Sequence, residues 1–173
     1  MNYQAQCVEL ESTEWHEPDH GLLHAALGLM TETVELMNFN NEKNFLEELG
    51  DITWYVAVGA YHLDLTMGDL LDTNGLTQDM EEDLIEALIT DAAEIVDQLK
   101  KGTFYGRVMN RTRLADLLAR ILDNVDTLAA EAGSDLDEVM ELNLAKLNRR
   151  FKTGTFTAEE ANNRDVKTEM EVY

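Results

Sequence analysis

His24-Ala25-Ala26-Leu27-Gly28-Leu29-Met30-Thr31-Glu32-Thr33-Val34-Glu35-Leu36-Met37 is the stretch that decides the fold. Its apolar positions, taken back to Leu22 and Leu23, recur every three or four residues through Ala26, Leu29, Met30, Thr33 and Met37. That period belongs to an α-helix with one buried face. Pro18 suits the first turn of such a helix, where no amide donor is needed, and Asp19 adds an acid at its positive end. Asn38-Phe39-Asn40-Asn41 breaks the pattern with weak helix formers. The first long helix is therefore predicted over about 18–38, and a second follows over about 42–62.

The helical pattern continues to the end of the chain. Thr66 is a candidate N-cap for a short helix over about 67–71, and Asn74-Gly75 reads as a turn. Thr77, followed by Met80-Glu81-Glu82, opens a helix that runs to about Lys101. Gly102-Thr103-Phe104-Tyr105-Gly106 reads as a loop. A further helix is predicted over about 111–132, stopping at Gly133. Ser134 is the expected cap of the next, about 135–151, with Glu138 placed as in a capping box. Lys152-Thr153-Gly154 is a turn, and 157–170 form a last helix or an ordered tail. Residues 1–17 are polar, with room for one short helix. No run of alternating residues suggests a sheet.

Two stretches recur. Leu29-Met30-Thr31-Glu32-Thr33-Val34-Glu35-Leu36 resembles Leu88-Ile89-Thr90-Asp91-Ala92-Ala93-Glu94-Ile95, and residues 67–74 echo residues 136–143. The chain reads as one all-α domain over 1–173 with a four-helix-bundle-like core built from two degenerate tandem helical repeats. The repeats cover about 18–75 and 77–151, with a tail over 152–173.

Hydrophobic residues make up 45% of the chain, enough for a folded core. The single cysteine, Cys7, has no internal partner, which points to a reducing compartment. The start carries no basic and apolar leader pattern, and no apolar run approaches membrane-spanning length. The expected location is the cytoplasm, with no membrane partner. A net charge of −22 argues against nucleic acid as a partner. Residues 1–99 hold twenty-two acids and one base, whereas residues 100–173 hold thirteen acids and twelve bases. Acids in the first half can hold metal ions, and bases in the second can hold an anion. Most of the acids form a solvated surface.

Glu32 and Glu35 are three apart and share a helix face. Glu48 and Asp51 have the same spacing on the next helix. The short connection makes the two helices antiparallel, so the four carboxylates can converge. Converging carboxylates repel, and a hard divalent cation that prefers oxygen ligands relieves this. Magnesium is the expected ion, with manganese as a substitute. His16-Glu17-Pro18-Asp19-His20 has the zinc-protease spacing, but that motif needs both histidines on one helix and Pro18 would sit inside it. Glu17-x-x-His20 imitates half of a di-iron site and has no matching second half, because Gly59 precedes His62 where a glutamate is required. Zinc and iron are therefore not expected.

Glu32-x-x-Glu35 and Glu48-x-x-Asp51, with 24–32 and 46–55 around them, resemble the metal motif of the MazG-like all-α nucleoside triphosphate pyrophosphohydrolases. Phe104-Tyr105-Gly106, Asn143-x-x-Lys146-Leu147-x-x-Arg150-Phe151 and Glu159-Glu160-Ala161-x-Asn163-Arg164-Asp165 are similar to phage and bacterial members. The order of parts departs from the short members, in which the Phe-Tyr-Gly loop lies between the acid pairs. Leu117 and Arg120 also stand where a second copy would carry its acids. Both departures resemble the dimeric dUTPase branch, with one working acid set per chain.

The resemblance implies Mg-dependent hydrolysis of a (deoxy)nucleoside triphosphate to the monophosphate and pyrophosphate, in nucleotide-pool housekeeping. A water activated by the metal attacks the α-phosphorus. Glu32, Glu35, Glu48 and Asp51 are the expected metal ligands. Glu32 is the first candidate for orienting the water, followed by Glu47 and Glu48. Lys100, Lys101, Lys146, Arg150 and Arg164 form the phosphate-binding pool, with Arg149 the member best read as an ordinary surface charge. Tyr105 belongs to the substrate loop, Asn143 suits a phosphate or the sugar, and Tyr55 holds Asp51 or packs on the sugar. For Trp54 and Phe39 a core role is preferred to base stacking, and for His20 and His24 a helix-start or core role. A homodimer is expected. The alternative is a non-enzymatic helical interaction module derived from this family.

Overall fold

The computed structural model describes residues 2–12, 20–72 and 83–173. Every regular element among the described residues is helical. In chain order these are α1 (Tyr3–Glu9), α2 (His20–Met37), α3 (Glu42–His62), α4 (Met67–Asp72), α5 (Leu84–Tyr105), α6 (Arg111–Glu131), α7 (Leu136–Arg150), α8 (Ala158–Asn162) and α9 (Val166–Glu169). A final 3-10 turn covers Met170–Val172. The start of the zinc-protease look-alike at His16, Pro18, the Asn74-Gly75 turn and the Thr77 helix start lie outside the described residues.

Local chemistry fixes the ends. Asn41, Asn110 and Asp135 each accept from the backbone amide three residues on, at Asn44, Arg113 and Glu138, and start α3, α6 and α7. The cap of α7 is thus Asp135 rather than the expected Ser134, whose Oγ instead donates to Glu138 Oε2 at 2.8 Å. The expected loop over 102–106 is helical as far as Tyr105. Glycine within a helix costs only about 1 kcal/mol relative to alanine, so Gly102 need not end it. Gly106, at φ 63°, does end it: its amide reaches Gly102 O, and that of Arg107 reaches Lys101 O.

α2 and α3 run antiparallel. Gly21 faces His62, Gly28 faces Tyr55, and Glu32 faces Glu48 and Asp51, so positions descend on one helix as they ascend on the other. Glu94 with Arg113 and Asp91 with Arg120 give α5 and α6 the same relation. α2 packs on α3 and α5, and α6 closes the ring by packing on the same two helices. The four-helix core is filled by Leu29, Leu36, Leu49, Ile52, Leu88, Leu99, Leu117 and Ile121. Each buried leucine contributes about 1.5–3 kcal/mol. α4 lies on α6 and α7 lies on α3. Exchanging α2 with α5, α3 with α6 and α4 with α7 therefore maps these contacts onto themselves.

α1 and α7 form a second apolar cluster with α3, through Tyr3, Cys7, Trp54, Ala57, Val58, Leu147 and Phe151. Hence α3 is enclosed on two sides, and it is buried almost continuously from Glu48 to Ala60. An acid on such a helix lies between two packed layers. No helix among the described residues is long and apolar enough to cross a membrane.

Candidate metal centre

Glu32, Glu48 and Asp51 each present a carboxylate oxygen within 4.8 Å of the other two. Their positions follow from the antiparallel α2–α3 pair, whose inner faces carry the two acid motifs. Glu35 lines the same cleft from an exposed position one turn along α2 and is not part of the close trio. Burial raises the Glu32 carboxyl to about 8, and the charges of Asp51, Glu35 and Glu48 add to the effect. Glu48 is pushed up to about 7, again first by burial and then by Asp51, against a 2.7 Å hydrogen bond from Asn44. The site thus resists carrying its full negative charge unaided.

Asp51 is held from behind by α7. Asn143 Nδ2 donates to Asp51 Oδ1 at 2.8 Å, and Tyr3 OH donates to Asn143 Oδ1 at 3.0 Å. Lys146 Nζ lies 2.5 Å from both Asp51 oxygens and 3.4 Å from Glu47 Oε1, with its side chain 0% exposed. Gly50 permits the approach of α7, since a Cβ there would lie 3.0 Å from Asn143 Cβ.

The acids occupy part of a cleft of about 490 Å³. His24, Trp54, Tyr55, Phe151 and Phe156 give it an aromatic wall, and Arg150 and Arg164 supply positive charge. Trp54 and Tyr55 meet edge to face at 4.8 Å, and His24 stands edge-on to Tyr55 at 5.4 Å. Tyr55 lies across the backbone of α2, where any Cβ on Gly28 would come 2.1 Å from its ring. Burial, then the charge of Glu32, raises the Tyr55 phenol well above its ordinary range, so it is a hydrogen-bond donor at neutral pH. Trp54 Nε1 is buried without a hydrogen-bond partner among the described residues. Glu11 braces the histidine end, accepting from His62 Nε2 at 3.0 Å and lying 3.6 Å from His24 Nδ1.

The cleft brings together Glu32, Glu35, Glu47, Glu48, Asp51, Tyr55, Arg150 and Arg164 from the sequence-predicted set. Asn143 and Lys146 do not line it; they support Asp51 from outside. Lys100 and Lys101 both pair with Asp97 on α5, and Tyr105 is 68% exposed at the end of that helix. None of these three lines the cleft. Phe39 is 45% exposed and packs edge-on to Phe45 at 5.0 Å, so it is not a core residue. Trp54 is buried as expected and lines the cleft as well. Arg149 donates to Thr168 O at 2.6 Å and pins the tail. His24, Phe151 and Phe156 were not assigned to the site from sequence. Phe151, just after Arg150, and Phe156, in the turn region before α8, carry no periodic signal that they face a cleft.

In the second half, Arg120 Nε lies 3.2 Å from Asp91 Oδ2, and Arg113 forms a two-pronged pair with Glu94 at 2.8 and 2.6 Å. Leu117 is in the core. Comparison with protein-family models, with curated proteins and with solved structures finds no match to this chain.

Proposed function

We propose that the chain is a magnesium-dependent nucleoside triphosphate pyrophosphohydrolase of the MazG-like type, assembled from two tandem helical repeats. The observation that carries the reading is one cleft with acids, cations and an aromatic wall placed together. Three carboxylate oxygens within 4.8 Å of one another could turn toward one ion between them, and oxygen ligands are what magnesium takes. Raised carboxyls at Glu32 and Glu48 fit an ion too, because a nearby positive charge restores their ionised form.

Glu32, Glu48 and Asp51 would hold the ion, with Glu35 reaching it as a fourth carboxylate. A divalent cation there neutralises phosphate oxygens and acidifies water. Lys146 and Asn143 orient Asp51. Glu32 would accept a proton from the attacking water, and Glu47 lines the same cleft. Arg150 and Arg164 take the outer phosphates, since Lys146 is engaged by Asp51 and Glu47. Trp54, Tyr55, Phe151 and Phe156 form the slot for the flat base, with Trp54 Nε1 as a donor to it.

Pyrophosphate release from the common NTPs and dNTPs, with magnesium and with EDTA, tests the reading. Glu35→Gln, Glu48→Gln and Asp51→Asn should each lower kcat/KM at least ~100-fold, about 2.7 kcal/mol. No metal-dependent release from any of the eight nucleotides would refute it. One observation favours the alternative of a non-enzymatic helical module: Lys146 already neutralises Asp51 without an ion. Calorimetric titration separates the two, since such a module would take up no magnesium.

A further inference from the structure

Glu169 lies on α9, is 1% exposed, and binds two guanidiniums at once. Its Oε1 accepts from Arg150 Nε at 3.2 Å and its Oε2 from Arg150 Nη2 at 2.8 Å. Oε2 also accepts from Arg164 Nε at 3.2 Å and Nη2 at 2.9 Å. Both arginines line the acidic cleft, whereas Glu169 does not; it lines a neighbouring hollow whose wall the arginines share. The two guanidiniums hold the Glu169 carboxyl below its ordinary range despite its burial, so it stays ionised. Each guanidinium has five N–H donors and gives two to Glu169, which leaves three for an anion.

We propose that Glu169 is a positioning residue that holds Arg150 and Arg164 together as a clamp for the β- and γ-phosphates. The inference rests on the nucleotide reading above and adds the residue that prepares the charge. Arg150 ends α7 and Arg164 lies between α8 and α9, so nothing in the local chain fixes one against the other. Two like charges side by side repel, and each long arginine side chain loses rotamer freedom when it is held. A buried carboxylate between them removes both costs before substrate arrives. The trio keeps a net charge of one positive unit, which still attracts polyphosphate. Without Glu169 the nearest acid for Arg164 is Glu47, 3.9 Å away on the metal side. The clamp would then turn toward the acids.

The test compares full-length wild type, Glu169→Gln, Glu169→Asp and Arg149→Ala. Pyrophosphate release is measured against nucleotide concentration. Calorimetry uses magnesium alone, and magnesium with inorganic tripolyphosphate. Glu169→Gln should raise KM at least ~10-fold with kcat within ~3-fold, and weaken tripolyphosphate binding by the same factor, about 1.4 kcal/mol. Magnesium binding and inhibition by NMP, which lacks the outer phosphates, should stay at wild-type values. Glu169→Asp, which keeps the charge, should recover part of the affinity. Arg149→Ala cuts the tail's bonds to Thr168 and Glu171 and should leave KM unchanged, which separates the clamp from mere attachment of the tail. Wild-type KM and tripolyphosphate affinity in Glu169→Gln would overturn the inference, as would an Arg149→Ala protein with the same raised KM. Glu169-dependent tripolyphosphate binding by a wild type that hydrolyses no nucleotide would support the clamp and overturn the hydrolase.

Discussion

Neutralising Glu32 should make the metal-free protein more stable at alkaline pH. The Glu32 carboxyl lies near 8 in the fold against 4.5 for an ordinary glutamate. Between those values the native protein holds a proton that the unfolded chain has released, so stability falls as pH rises through the window. Full ionisation costs the fold up to about 5 kcal/mol at 1.36 kcal/mol per pKa unit. Water in the open cleft screens the charge and reduces this to on the order of 2 kcal/mol. In a domain of this size that is a melting shift of about 4–8 °C. The assay is thermal melting in EDTA from pH 5 to 9, for wild type and Glu32→Gln. Wild type should lose most of that amount relative to the variant between pH 5 and 9. Glu48 also lies above its ordinary range and its charge helps to raise Glu32, so the difference reports Glu32 together with its coupling to Glu48. Magnesium should reverse the order at pH 9 by stabilising wild type more. A Glu32→Gln protein that melts at or below wild type at pH 9 in EDTA refutes the reasoning.

Lys146→Ala should cost the metal-free fold about 3–5 kcal/mol by leaving Asp51 without its buried counter-charge, read by urea denaturation, and magnesium should restore part of the loss. Gly28→Ala should destabilise by about 1–3 kcal/mol and lower activity, because the new methyl displaces the Tyr55 ring; adding Tyr55→Leu should recover the stability and not the activity. Light scattering at micromolar concentration should return a dimer, since Leu27, Val34 and Met37 leave apolar surface exposed along α2, and a monomer would refute that.

The all-α fold was legible because the signals are local. Asn41 and the period after it place α3 at Glu42–His62, the span the sequence predicts. The convergence of the acids was legible too, because two equal spacings joined by a short break leave little freedom. Lys146 meets Asp51 and Glu47 instead of lining the cleft, and the sequence does not show this for a physical reason. A lysine near the basic end of a helix has the same local pattern whether it meets phosphate or a buried carboxylate. Only the packing of α7 on α3 decides, and that is tertiary. The same holds for Tyr105, which was grouped with the site through a motif, while the helix carrying it runs one turn further than Gly102 suggests. Glu169 lies nineteen residues beyond Arg150 at the end of α7, and a glutamate in a polar tail carries no periodic signal.

The two halves of the bundle treat their inner acids differently, and the contrast bears on where chemistry can occur. Asp91 and Glu94 sit on α5 where Glu32 and Glu35 sit on α2 in the proposed repeat. Asp91 is 2% exposed and has Arg120 beside it; Glu94 has both prongs of Arg113. These acids are neutralised within the fold, and Glu94 is held below its ordinary range by that guanidinium. On the other side Lys146 pairs with Asp51 and Glu47, and Glu32 and Glu48 keep raised carboxyls with no arginine or lysine in an ion pair with them among the described residues. A bundle that can place an arginine opposite a buried acid at one position has the means to do so at the other. Replacing the acids of α3 by Leu117 and Arg120 on α6 is that means. Retaining four carboxylates on α2 and α3 instead leaves the metal-free fold with crowded acids, whose repulsion is relieved by a proton held on Glu32 or Glu48 or by a bound cation. The neutralised half has no such tension, so of the two halves the acidic one is where a cation has free energy to gain, in competition with protons.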